Sequence, residues 1–221
     1  IVNSLKNKTG VNSMQYQGVE QVQKNGSTAV VTIKVFDSEL DKHFLVELDM
    51  RQLADGTWQI TRINNLQTLI SERDQAFQNK LAELNKPVQK HIDDAITVTP
   101  QKIFITSAPY SGVIRLLQAD LQLTNNAAKE LQYFTGVLEL YNADNELFYS
   151  GNFASSKKLA AAQTQAYQFN WELNPFLTDD AKVMNSDFSK VTWKASLSSL
   201  TFADGSTIEL LTQLPVKTKT K

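Results

Sequence analysis

The hydrophobic period of this chain changes twice along its length, and each change marks a change of structure. From Thr28 to Asp37 the apolar residues Ala29, Val31, Ile33 and Val35 alternate with Thr32 and Lys34. From Lys42 to Leu53 the device repeats, with Phe44, Val46, Leu48 and Met50 opposed to Glu47, Asp49 and Arg51. A period of two puts alternate side chains on opposite faces and marks half-buried antiparallel strands. Asn25-Gly26 separates a weaker strand, Gly18–Lys24, from the first of these, and Asp55-Gly56 separates the second from Thr57–Ile63. Both dipeptides predict type I′ hairpin turns. The first 63 residues therefore predict a four-stranded antiparallel meander.

From Leu66 the spacing switches to three and four. Leu66, Leu69, Ile70, Phe77, Leu81, Leu84, Val88 and Ile92 form one apolar stripe, with Glu72, Arg73, Gln78, Lys80, Glu83 and Lys90 opposite. This predicts one long amphipathic helix over about residues 66–95, about 45 Å long at ~1.5 Å per residue if unbroken. Pro87 lacks a backbone donor and predicts a kink or two abutting helices at that point. The near-heptad run Phe77, Leu81, Leu84, Val88 also offers a seam for dimerisation, but a lone meander needs a cover for its apolar face, which favours packing within the chain.

After Thr97 alternation returns. Lys102–Ser107, Val113–Leu123, Tyr133–Tyr141, Glu146–Ser150, Gln165–Leu173, Val191–Leu200 and Ser206–Thr212 are seven predicted strands, with a hairpin turn at Asp204-Gly205 and a short helix or loop over Phe176–Met184. Seven short strands with turns between them predict an immunoglobulin-like β-sandwich. The predicted organisation is an α+β unit over residues 1–96, the meander plus the long helix, followed by an all-β sandwich over 97–221.

Composition excludes several function classes. With 22 Lys and Arg against 23 Asp and Glu the chain is nearly neutral, without the basic footprint of a nucleic-acid binder. There is no cysteine, so disulfides, thiolate metal sites and thiol nucleophiles are out of reach. No run of roughly 18 apolar residues suits a membrane span. The sequence begins at Ile1 rather than methionine, and a signal peptide or membrane tether upstream is the expectation.

The chemistry-bearing residues are few. His43 sits beside Glu39 and Asp41, a grouping that could serve a metal or acid–base site but fits a strand-edge histidine by a charged loop. His91, with Asp93 and Asp94, fits a capping role near a helix end. Glu47 and Asp49 share a strand face, the polar one, so the pair reads as solvated surface rather than the paired carboxylates of a glycosidase. Asp179-Asp180 reads as a helix N-terminus, and Ser196, Ser198 and Ser199 lack a nominated base. Tyr167, Phe169 and Trp171 alternate with polar residues, as a binding stripe or a core face would, and Trp58 and Trp193 read as core. Asn7-Lys8-Thr9 and Asn25-Gly26-Ser27 match the glycosylation pattern. No catalytic, cofactor-binding or metal-binding residue is nominated, and no cofactor is implied.

Two resemblances add to this reading. The runs Asn25-Gly26-Ser27-Thr28-Ala29-Val30-Val31-Thr32-Ile33 and Leu53-Ala54-Asp55-Gly56-Thr57-Trp58-Gln59-Ile60 resemble the closing strands of cystatin-like or NTF2-like bacterial envelope domains. The helices that precede an NTF2-like sheet are missing here. The runs Leu121–Asn126, Gly136–Asp144 and Leu200–Ser206 resemble FxLYD-type sandwich domains. The resemblances imply a non-enzymatic protein of the bacterial cell envelope or periplasm that binds an unidentified protein or small molecule, or acts as a spacer, and they carry over no catalytic residue. The alternative they leave is a small-ligand or enzymatic pocket between the N-terminal sheet and the helix.

Overall fold

A computed structural model describes residues 13–109 and 111–215. Among the described residues the protein is mostly β, with three antiparallel sheets and two helices, and the chain divides into two compact units. One comprises the residues up to Leu84 together with those from Leu211, the other Asn85–Leu210. The chain thus passes between the units twice, at 84/85 and at 210/211.

In the first unit, β1 (Met14–Asn25), β2 (Thr28–Asp37), β3 (Lys42–Gln52) and β4 (Trp58–Ile63) form one sheet in sequential order. The register pairs Ile33 with Val46 and Val31 with Leu48, so the apolar positions of β2 and β3 share one face. Ile33, Val35, Val46 and Leu48 are wholly or almost wholly buried there. Helix α1 (Leu66–Ala95) follows. Leu69 is buried in the same core, with Leu66, Ala76, Phe77 and Leu81 packed against it. Burying a side chain of this size stabilises by about 1.5–3 kcal/mol, which is why the amphipathic helix settles on the sheet. Leu214 joins this core although it lies beyond the last strand of the other unit.

The turns differ from expectation. The loop between β1 and β2 is Gly26-Ser27, with Asn25 paired to Thr28 and only Gly26 at positive φ, 58°. A glycine first in a two-residue loop is the type II′ arrangement, and Asn25 belongs to the strand. At Asp55-Gly56 the bonds Gly56 N–H to Leu53 O and Leu53 N–H to Thr57 O enclose a three-residue loop, with Gly56 at φ 83°. This is a type I turn closed by a bulge rather than type I′. Ala203-Asp204-Gly205 repeats it, and Ala143-Asp144-Asn145 does so with Asn145 in the positive-φ place. Asp55 and Asp204 stay at negative φ because their carboxylates accept from the residue two places on, Thr57 and Ser206.

Helix α1 does not divide at Pro87 but runs through it as one element of 30 residues. Packing on both sides of the proline outweighs the lost bond: Phe77 and Leu81 pack in the first unit's core, Val88 and Ile92 in the second's. Strand β5 (Ile96–Ala108) starts immediately after Ala95, earlier than the alternation suggests.

The second unit continues with β6 (Ser111–Asn125), β7 (Leu131–Tyr141), β8 (Leu147–Ser155), β9 (Thr164–Leu173), α2 (Thr178–Met184), β10 (Thr192–Phe202) and β11 (Thr207–Glu209). One sheet has the order β5-β6-β9, the other β11-β10-β7-β8. Leu117, Leu121 and Leu123 of β6 and Leu138, Leu140, Leu197 and Leu200 of β7 and β10 are buried in one core. At Gly136 an added Cβ would lie 2.3 Å from the Phe153 ring and 2.5 Å from the Ser196 carbonyl, so β7 admits no side chain there. Buried Asn125 donates to the carbonyls of Lys129 and Leu159 and accepts from Ala127 N–H, which shapes the turn out of β6.

Candidate functional site

The charged loop before β3 is organised around Asp37, not around His43. Asp37 is fully buried, and its carboxylate accepts from the backbone N–H groups of Glu39 and Leu40. The Arg73 guanidinium on α1 donates to it at 2.9 Å and to Glu39 at 2.8 Å, while Lys80 donates to the Glu39 carbonyl. Burial alone would raise the Asp37 pKa, but the donors around it, Arg73 among them, outweigh burial and hold it below the usual value. The cluster pins α1 to the β2–β3 loop. His43 is exposed and rests on the Phe36 ring, with centroids 5.0 Å apart. The neighbouring Glu39 carboxylate faces Arg73. Among the described residues no group of three or more histidine, aspartate or glutamate side chains could hold a metal ion.

The other nominated residues also find structural partners. Asp49 pairs with Arg62 at 3.1 Å and accepts from Asn64 at 2.7 Å, while Glu47 is exposed on the same face. His91 is exposed, and Asn126 supplies the helix end instead, donating from its backbone to the Ala95 carbonyl and from its side chain to the Asp94 carbonyl. Asp179 and Asp180 occupy the first turn of α2; Asp179 pairs with Lys182, and Asp180 accepts from Asn174 N–H. Ser198 and Ser199 meet Thr135 Oγ1 at 2.8 and 2.7 Å, a hydroxyl cluster without a base. Asn7-Lys8-Thr9 lies outside the described residues, and Asn25-Gly26-Ser27 lies in the β1–β2 hairpin.

The aromatic stripe faces inward. Tyr167 is buried, and Phe169 and Trp171 are half-buried in the second unit's core. Phe134 meets Tyr167 edge-on at 5.2 Å, Phe153 lies 4.6 Å from Phe169, and the Trp171 indole donates to the Asn152 carbonyl. Burial, followed by the nearby Asp180 charge, pushes the Tyr149 hydroxyl up to about 12.

One concavity of about 560 Å³ lies in the second unit. Gln89 and Asp93 from the end of α1, Thr97 from β5 and Trp193 and Lys194 from β10 line it. Gln89 bridges the Asp93 carboxylate and the Leu197 carbonyl, so the helix end is tied to β10 at the rim. The residues of this concavity come from two stretches, 89–100 and 193–196, that lie more than 90 positions apart, and nothing in the local sequence announces their meeting.

No protein-family model matches the chain, and no curated protein matches it by sequence. The ApaA protein from Bordetella pertussis is a solved structure to which part of the chain is similar, at 13% identity over 52% of this chain and 86% of that one, with a TM-score of 0.29. A likeness of that size carries no argument about fold or activity.

Proposed function

We propose that the chain is a non-enzymatic binding or spacer module of a bacterial cell envelope, built from a cystatin- or NTF2-like α+β unit and an immunoglobulin-like sandwich. The observation that carries this reading is connectivity. Each unit has its own apolar core, and the chain passes between them twice, once inside an uninterrupted helix. Two covalent crossings restrain a pair of modules more than one linker can, which suits a spacer. Polar side chains of the kinds that chemistry uses, Asp37, Glu39, Asp49 and Ser198, are engaged in bonds that hold elements together.

A ligand pocket between the first sheet and α1 is the competing reading. Leu69, Phe77 and Leu81 fill the place such a pocket needs. Thermal unfolding in the presence of a metabolite library separates the two. A ligand at a hundred times its Kd stabilises by about 2.7 kcal/mol. The module reading expects no such shift from small molecules; a shift abolished by Phe77→Trp would restore the pocket. Fractionation of the native host, with protease access from the outer side, tests the location, and protection within the cytoplasm would overturn it.

A further inference from the structure

Strand β1 ends the sheet of the first unit: among the described residues it pairs with β2 alone. Its register sets Tyr16 beside Val35, Val19 beside Ile33 and Val22 beside Val31, so all three lie on the face that carries the core. Their β2 neighbours are buried, whereas Tyr16, Val19 and Val22 are 46%, 52% and 57% exposed. Bulges between Tyr16 and Gly18 and between Val19 and Gln21 allow residues three apart to share this face. The result is a row of apolar side chains along a strand that ends the sheet among the described residues.

The strand is also close to a palindrome. Residues 15–23 read Gln-Tyr-Gln-Gly-Val-Glu-Gln-Val-Gln, which pairs Gln15 with Gln23, Tyr16 with Val22 and Gln17 with Gln21 about Val19 and breaks the symmetry only at Gly18 and Glu20. We infer that β1 is a homodimer interface, pairing antiparallel with β1 of a second copy about a two-fold axis at Val19. This register sets Val19 against its own copy, Tyr16 against Val22, Gln15 against Gln23 and Gln17 against Gln21. Each three-residue step contains one bulge on either strand, so the two bulged edges stay in step. No like charges meet: Glu20 falls opposite Gly18 and Lys24 opposite Met14. Both charges already have partners at home, Glu20 facing Lys34 at 3.9 Å and Lys24 lying over the Trp58 ring. An antiparallel edge pair is isologous, so a single surface suffices for both copies and the assembly closes at two. The contact area of one strand edge is small, and the association is concentration-dependent.

The chain has no cysteine, which makes the register directly testable. Opposed residues of an antiparallel pair lie about 4.5–5.5 Å apart at Cα, within disulfide reach. Sedimentation of the full chain should show a mass rising with concentration toward twice 24.8 kDa. Under mild oxidation Val19→Cys should give a covalent dimer, whereas Val30→Cys, exposed on β2 away from the edge, should not. Val19→Lys places like charges on the axis and should weaken association about a hundredfold, with the circular dichroism spectrum unchanged. A chain that remains monomeric at its highest soluble concentration overturns the inference. So does a dimer that survives Val19→Lys and leaves Val19→Cys uncrosslinked, since that dimer uses another face.

Discussion

Asp37 shows how a single residue can be decisive without being a site. A carboxylate with no exposed surface is tolerable only because Arg73 and two backbone N–H groups meet it. Removing one partner of such a pair strands the other, so Asp37→Asn should cost about 3–5 kcal/mol in denaturant titrations. The same residue sets a pH dependence. Its folded pKa lies below the ordinary carboxylate value, so its contribution is present above the unfolded pKa and is lost as pH falls through the folded one. Stability measured from neutral pH down into the acid range should fall less steeply in Asp37→Asn than in the parent. Ala162 carries the opposite sign. It sits at φ 57° in the turn closed by Gln163 N–H to Ala160 O, a conformation in which a Cβ is crowded. Ala162→Gly should therefore stabilise the second unit by about 0.5–1 kcal/mol, the relief of strain exceeding glycine's larger unfolded entropy. An unchanged or lower midpoint would show that the turn is not strained.

At the scale of elements, α1 is the informative one. A proline inside a helix costs about 3 kcal/mol relative to alanine, and the helix nevertheless continues through Pro87. Pro87→Ala should raise stability by about 1–3 kcal/mol and slow amide exchange in the adjoining turns, as hydrogen exchange can show. A loss of stability instead would mean that the ring itself makes packing contacts worth more than a helical bond. The hairpins teach a related lesson. Asn25-Gly26 and Asp55-Gly56 correctly announce reversals, yet the first loop is shifted by one residue, the second is one residue longer, and both turn types differ from the dipeptide rule. Which residue occupies the positive-φ position depends on where strand pairing stops, and that is set across the sheet.

For the whole molecule, the return of the chain is the main structural fact. Leu214 is buried in the first unit although every strand just before it belongs to the second. Leu214→Ala should destabilise the first unit by about 2–4 kcal/mol and leave the amide protection of β6, β7 and β10 unchanged. Calorimetry of a two-unit chain need not follow a single transition, so residue-level exchange is the decisive measurement. Equal loss of protection in both units would show that they unfold together.

The local sequence was enough to locate the strands and the long helix. Alternation at Ala29–Val35, at Phe44–Met50 and at Tyr167–Leu173, and the three-four spacing from Leu66, are near-neighbour patterns that follow directly from side-chain direction. It was also enough to show that Tyr167 and its neighbours share one face, though not that this face points inward. What only the tertiary structure decided are the meetings of distant residues. Arg73 reaches Asp37, Asn126 finishes a helix that ends 31 positions earlier at Ala95, Leu214 enters the first core, and Trp193 joins Gln89 in one concavity. The reason is physical: periodicity reports which face a residue takes within its own element, whereas burial and hydrogen-bond partners are fixed by the elements packed against it.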